Sequence, residues 1–288
     1  MKMNIRYMAL AAAALGLSSN AMALTFTDRD FTGGVEIGGD ITVPIATNFW
    51  QWASGDAITL DQDVVTLTND YKTMTVPATS DLPLLVGQTK APTVGNAGSV
   101  GLNPRIAFTD AAGDAVTPVW DNTGNTGKGT ITLKVTAADG TTTLGNMSMK
   151  VKAAGTAGYI SPTLNVSALQ VFTASSQQVF GEYALPTATA GLLLNGVTAT
   201  SWANSLGGTK TGEIFMAELN TASGMTRTSW TNTGTVAFNR EFNSPDQYYV
   251  GAYGLGIAEG DNIVVSFTNP VTVTTLWKAA LKATVTYL

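Results

Sequence analysis

The strongest constraint on the fold is an alternation of period two through "GTITLKVTAADGTTTLGNMSMKV", residues 129–151, with Asp139-Gly140 at its middle. Apolar residues at every second position turn one face of an extended chain toward a core and the other toward water. An Asp-Gly pair between two such runs predicts a tight hairpin, because both residues tolerate positive φ. The same style is read in "VVTLTNDYKTMTV" (64–76), "NIVVSFTNPVTV" (262–273) and "LKATVTYL" (281–288). Many short strands in a chain rich in Thr and Gly point to an all-β sandwich or barrel. Residues 152 to about 240 depart from the pattern, with Pro162, Pro186 and "NSLGGTKTG", and are expected to form an inserted mixed subdomain. Within it "TGEIFMAELN" (211–220) predicts one or two helical turns burying Ile214, Phe215, Ala217 and Leu219.

Residues 1–23 read as a signal peptide: Lys2 and Arg6, then an apolar run from Met8 to Leu17, then Ala21-Met22-Ala23 as an A-x-A cleavage site. The run is too short for a membrane span, which needs about 20 residues. The mature chain would start at Leu24 and carry 13 basic against 20 acidic residues, a formal charge of −7. No basic footprint for nucleic acid exists in such a chain. There is no cysteine, so an exported protein of this sequence folds without disulfides. There is also no histidine, which removes the commonest general base and metal ligand.

What chemical signals remain are weak. Asp28 and Asp30, Asp61 and Asp63, and Glu259 and Asp261 are local acid pairs. A glycosidase could use two such acids, but acids two apart in a turn ordinarily face water. "DAITLDQD" (56–63) lacks the pattern of a calcium loop, and "YGLGIAEGD" (253–261) reads as a tight turn feeding a strand rather than a phosphate loop. No catalytic residue, metal ligand or cofactor is assigned. Trp50 and Trp52 would share one strand face, toward the core. Trp202 and Trp230 stand among polar turn residues and are either packing anchors or flat faces for a sugar, with Asn204 and Lys210 as candidate polar partners.

"FTGGVEIGGDIT" (31–42) poses a separate problem. Phe31, Gly33, Val35, Ile37, Gly39 and Ile41 form its apolar face, and Thr32, Gly34, Glu36, Gly38, Asp40 and Thr42 form the other. Four glycines make it a poor strand by itself. It suits a groove on another surface, or the edge of its own sheet. "DFTGGVEIGGDIT" resembles the N-terminal extension of major fimbrial subunits of the chaperone–usher pathway, in particular the kappa-class subunits of adhesive fimbriae of enterotoxigenic enterobacteria. "LLVGQTK" (84–90), "NPRIAFTDAAGDAV" (103–116), "YGLGIAEGD" and the ending "ATVTYL" resemble the same family. The resemblance covers roughly 1–150 and 245–288. The glycine that the family carries before its last strand is missing, and Thr275 stands there.

The resemblance implies an incomplete immunoglobulin-like β-sandwich lacking its last strand, over 44–288, with residues 24–43 as a donor-strand extension. It implies that a periplasmic chaperone fills the gap first, and that at the outer-membrane usher the extension of another copy replaces it. Phe31, Val35, Ile37 and Ile41 would then be knobs, with Gly33 and Gly39 crossing shallow parts of the groove. Ala283, Val285 and Tyr287 would line the groove strand that the chaperone meets. The family's major subunits can also bind host glycoproteins or glycolipids through an inserted region. Two other readings of the pattern are an outer-membrane β-barrel and a secreted glycan-active β-sandwich enzyme.

Overall fold

A computed structural model describes residues 49–174, 179–236 and 241–287. The expected signal peptide and donor-strand extension lie outside them.

The described chain is an all-β, immunoglobulin-like sandwich with two helices, and its spine is one long strand. The hairpin at Asp139-Gly140 forms as expected, joining β7 (Lys128–Ala137) to β8 (Thr143–Ser161), with Gly140 at φ +77°. Strand β8 has nineteen residues and changes neighbours along its length. On one side it pairs first with β7 and then with β9 (Val166–Phe172). On the other it pairs first with β12 (Asn262–Phe267) and then with β11 (Tyr248–Ile257). Beyond β12 lies the edge strand β2 (Thr73–Pro77). Beyond β11 come β3 (Leu82–Thr89) and then β1 (Trp50–Ala53). Short strands β4 (Thr93–Val94), β6 (Val119–Trp120), β10 (Thr235–Val236) and β13 (Trp277–Lys278) attach to β11, β7, β9 and β7 respectively.

The opposing layer is small. It holds β5 (Pro104–Thr109) and β14 (Lys282–Tyr287), paired antiparallel to each other. The outer edge of β5 is closed by Phe180, whose N–H donates to Pro104 O (2.6 Å) and whose carbonyl accepts from Ile106 N (3.1 Å). Phe180 takes φ +72° to do so, an unusual backbone for a buried aromatic. Between the layers, Ile131, Leu133 and Val135 of β7 and Met147, Met149 and Val151 of β8 face Ile106 and Phe108. Trp50, Trp52, Phe172, Phe180, Tyr253 and Phe242 extend this core as a chain of ring contacts, among them Trp50 on Trp52 at 5.5 Å.

The second half of β8 is where the sequence reading needs correction. Within the segment expected from 152 to be an insertion, β8 runs on to Ser161 and β9 follows at Val166–Phe172, both main-sheet strands joined by the exposed turn 162–165. They are covered on both faces, and a strand buried on both faces shows no period-two pattern. One cover is the core just described. The other is a layer of α1 (Gly196–Ser205) and α2 (Gly212–Ser223). Helix α2 is longer than expected, capped by the Thr211 hydroxyl and closed by Gly224 at φ +70°. It buries Phe215, Met216 and Leu219, and leaves Ile214 and Ala217 outside. The 64–76 segment is also not one strand. Asn69, Asp70 and Tyr71 turn through positive φ, and only Thr73–Pro77 is extended. Val271 N donates to Tyr71 O at 3.0 Å and helps hold that turn.

The glycines of "YGLGIAEGD" have a packing reason. A Cβ on Gly254 would stand 2.9 Å from the backbone of Ala203, and one on Gly256 would stand 2.5 Å from Leu206 and 2.7 Å from Leu82 O. The bare sheet surface lets α1 sit against it. Gly256→Val is expected to lower stability by about 2 kcal/mol through overpacking, read as a lower Tm. A second expectation concerns pH. Asp139 accepts from the N–H groups of Thr141 (2.8 Å) and Thr142 (3.0 Å), which hold its carboxyl down to about 2. A carboxylate with a depressed folded pKa stabilises above its unfolded pKa and loses that contribution as pH falls through the folded value. Thermal melts of Asp139→Asn should therefore lose less stability than wild type between pH 4 and pH 2.

Candidate functional site

Two surfaces concentrate apolar and polar groups in ways the core does not explain. The first is a trough on the sandwich beside β14. Residues 54–64 form one rim and residues 271–281 the other, and both line two adjoining cavities of about 540 and 780 Å³. The floor of the first is Leu133, Met147, Met149 and Ile263, the side chains of β7, β8 and β12 that face the opposing layer. The floor of the second is Met74, Leu67 and Phe267. Leu60, Asp61, Thr275, Leu276 and Trp277 line both cavities and so stand between them. Val273 and Leu276 on the rim are 74% and 72% exposed, which is unusual for large aliphatic side chains beside an open core.

Strand β14 continues this rim. Ala283, Val285 and Tyr287 share a face, opposite Phe108, Ile106 and Pro104 of β5. Val285 packs half-buried on the core, Ala283 is exposed, and the Tyr287 hydroxyl accepts from Trp52 Nε1 at 2.9 Å. Burial pushes the Tyr287 phenol up, and the Trp52 hydrogen bond opposes that. Among the described residues the edge of β14 away from β5 has no strand partner, nor have residues 54–63. The trough thus borders two unpaired edges, residues 54–63 and the free side of β14, while its other rim carries β13, paired with β7. Phe31, Gly33, Val35, Ile37, Gly39 and Ile41 lie outside the described residues.

The second surface is a groove of about 610 Å³ between α1, α2 and the loop 227–233. Backbone bonds fix the loop to β9: Thr231 N donates to Ser167 O (2.8 Å) and Leu169 N to Asn232 O (2.9 Å). The Asn220 side chain clamps Arg227, accepting from its N–H at 2.8 Å and donating to its carbonyl at 2.7 Å. The Arg227 guanidinium donates to Asn165 Oδ1, while its Nε is buried without a partner. Trp230 is half-buried in the groove wall, with bare Gly158 and Gly212 against its ring. Glu213, in the first turn of α2, accepts from the Thr211 hydroxyl at 3.1 Å.

Of the four residues suggested from composition, only Trp230 lines this groove. Trp202 is 5% exposed, its N–H donates to Lys152 O at 3.2 Å, and Lys152 Nζ lies 4.3 Å over its ring. It is a packing anchor and presents no open face for a sugar to stack on. Asn204 is half-buried on α1, away from the groove lining. Lys210 is tied to Glu218 of α2 in a partly buried ion pair. Thr211, Glu213, Asn220 and Arg227 were not singled out from the sequence, although "TRTSW" places Arg227 three positions from Trp230. Of the acid pairs, Asp28 and Asp30 lie outside the described residues. Asp63 accepts from Val65 N (3.1 Å), and Asp261 pairs with Lys128 at 2.6 Å. Among the described residues no group of acids could hold a metal ion.

Comparison with known proteins follows the same direction. A K88-type family model described as "Fimbrial, major and minor subunit" matches residues 1–288. The chain is 30% identical to K88 fimbrial protein AD of Escherichia coli over 297 residues, with all of both chains covered. It is 29% identical over 296 residues to K88 fimbrial protein AB and 28% over 297 residues to K88 fimbrial protein AC, both of Escherichia coli and again over the full lengths. A surface fimbria is the setting these relatives share, and the chain belongs to the family of K88-type major and minor fimbrial subunits.

Proposed function

We propose that this chain is a major structural subunit that polymerises by donor-strand exchange, with the trough beside β14 as acceptor and residues 31–43 of another copy as donor. The observation that carries this reading is the trough itself: an apolar floor bordered by residues 54–63 and by the edge of β14 away from β5, neither of which has a strand partner among the described residues. Strand addition supplies what each side lacks. Backbone hydrogen bonds to the rims give affinity, and alternate side chains entering the floor give register and specificity. Burying Phe31, Val35, Ile37 and Ile41 is worth roughly 1.5–3 kcal/mol each, far more than the weak donor could gain alone. In this scheme a periplasmic chaperone holds the trough during export, and the outer-membrane usher exchanges it for the donor at the cell surface.

A mature chain lacking residues 24–43 is expected to melt well below the same chain mixed with a synthetic 31–43 peptide, since a ligand of the folded state stabilises it by mass action. The shift should vanish when the peptide carries Ile37→Asp. A truncated chain already stable and indifferent to the peptide would overturn the assignment and return the segment to its own sheet.

The groove at Trp230 favours a second role, adhesion to host glycoproteins or glycolipids by the subunit itself. A half-buried indole with polar side chains around it is the chemistry a sugar ring needs: a flat apolar face plus hydrogen-bonding groups at its margin. Trp230→Ala should abolish binding to receptor-bearing cells, at a smaller cost in Tm than the loss of a fully buried tryptophan. Trp202→Ala should instead destabilise the fold by about 3–5 kcal/mol, the usual cost of removing a core tryptophan. Equal adhesion by Trp230→Ala and wild-type fimbriae would remove the groove from consideration.

A further inference from the structure

We infer that the groove at Trp230 takes an acidic glycan, with a sugar carboxylate held by Arg227 and a sugar ring laid on the Trp230 indole. This rests on the adhesion reading above and adds to it the charge of the ligand, the side chain that reads the charge and the direction in which the glycan lies. The charge layout of the groove comes first. Of the described residues that line it, only Glu213 and Arg227 are charged. Glu213, Met216, Ala217 and Asn220 recur at helical spacing and turn one face of α2 to the groove. Glu213 and Asn220 stand seven positions apart, about 10 Å along the helix axis. The Asn220 side chain clamps the backbone of Arg227, so the cation belongs to the end of the groove away from Glu213. The two charges do not neutralise each other: among the described residues Arg227 enters no ion pair.

The donors of Arg227 come second. A guanidinium carries five N–H donors in a planar fork that matches a carboxylate. One Nη group of Arg227 meets a neutral acceptor, Asn165 Oδ1, and Nε is buried without a partner. In a chain with 20 acidic and 15 basic residues, this cation is held among neutral groups instead of beside one of the many carboxylates. The clamp from Asn220 and the bonds from the loop to β9 hold its backbone in place, so little further ordering is needed when an anion arrives. Trp230 lies three positions along the same loop, its ring backed by Gly158 and Gly212. An aromatic face with a fixed cation beside it suits a sugar ring that bears a carboxylate, as sialic and uronic acids do. A neutral sugar would use the indole and leave the guanidinium without an anion. Glu213 repels a carboxylate and accepts from hydroxyls. The acidic sugar therefore lies toward the loop 227–233 and the hydroxyl-rich remainder toward the start of α2.

The test titrates purified fimbriae with soluble probes built on one core, galactosyl-N-acetylglucosamine. The core is used bare, capped with sialic acid, capped with glucuronic acid, as the methyl ester of each acid, and sulfated. At least one acidic probe should bind about tenfold or more tighter than its methyl ester, and added salt should narrow that gap. The acid that binds tighter identifies the source of the carboxylate. Arg227→Gln should bind the acid no better than the ester, with little change in Tm, because the Asn220 clamp grips the backbone and not the side chain of residue 227. Arg227→Lys should recover part of the preference, since it keeps the charge and loses the fork. Trp230→Ala should weaken every probe. Acids and esters that bind equally, both lost in Trp230→Ala, would overturn the acidic ligand and leave the groove as a site for neutral sugars. A preference for acid that survives Arg227→Gln overturns the role of Arg227, and a sulfated core that outbinds both acids overturns the carboxylate. Fimbriae that bind none of the probes also overturn the acidic ligand, while adhesion of Trp230→Ala fimbriae to cells still decides the groove. Probe binding untouched by Trp230→Ala would end the adhesion reading itself.

Discussion

The arrangement depends on the pairing of β8 along both of its edges. Nineteen residues are too many for one sheet to use in one way, so the strand serves two structures in succession. Its first half, with β7 and β12, alternates cleanly and turns Met147 and Met149 toward the opposing layer. Its second half, between β9 and β11, is covered on both faces, with Ala157 in the main core and Ala154 and Ile160 under the helices. Small residues dominate this half, "KAAGTAG", because two layers approach it at once. Gly155 lies under Phe180 and Leu185, and Gly158 lies against Val250, Leu169 and Trp230. Backbone hydrogen bonds fix the strand, and the missing side chains let the layers close on it.

The opposing layer is weak by the same logic. Two antiparallel strands are marginal in water unless a further strand or another layer supports them. The pair β5 and β14 leans on the main sheet through Ile106, Phe108 and Val285, and Phe180 closes one edge. The other edge borders a trough with an apolar floor. An open edge of this kind invites pairing with any extended chain. For an ordinary secreted domain that is an aggregation hazard. On the assignment proposed above it is a reason to assemble, and it would give the glycine-rich segment 31–42 a use, since a poor strand in isolation stays available for another surface.

How much of this was legible in the sequence depends on which faces are wet. The β7–β8 hairpin could be read from its alternation and its Asp-Gly turn, since one face of each strand meets water. The C-terminal strand could be read for the same reason. The strands over 152–161 and 166–172 could not, because burial on both faces erases the period and leaves glycine and alanine, which look like loop; Pro162 sits in the exposed turn between them. The period-two pattern hid the turn at Asn69 and Asp70, residue types that tolerate positive φ, and Tyr71 in the same conformation is held there by the Val271 contact, far away in sequence. The groove at Trp230 shows the same limit. Trp202 and Trp230 have near-identical polar neighbourhoods in sequence, and only packing separates them: one indole lies between α1 and the sheet, and the other forms a groove wall. The trough rims were missed for a different reason. Residues 54–63 are largely exposed and have no strand partner among the described residues, so their sequence has no turn or period to announce a rim.

The division of β8 bears on how one small chain could polymerise and adhere at once. The trough is floored by the half of β8 that ends near Met149, whereas the helices and the groove at Trp230 rest on the half from Ala154 onward. No side chain lines both surfaces. Between them the strand is held on both edges by ladder bonds and the two surfaces share no lining residue, so filling the trough need not rearrange the groove. On the proposed assignments, a subunit locked into a polymer keeps its groove in the same shape as a free one. A fimbria built this way would present one such groove per subunit along its length, and weak single contacts would add through multivalency rather than through a specialised tip.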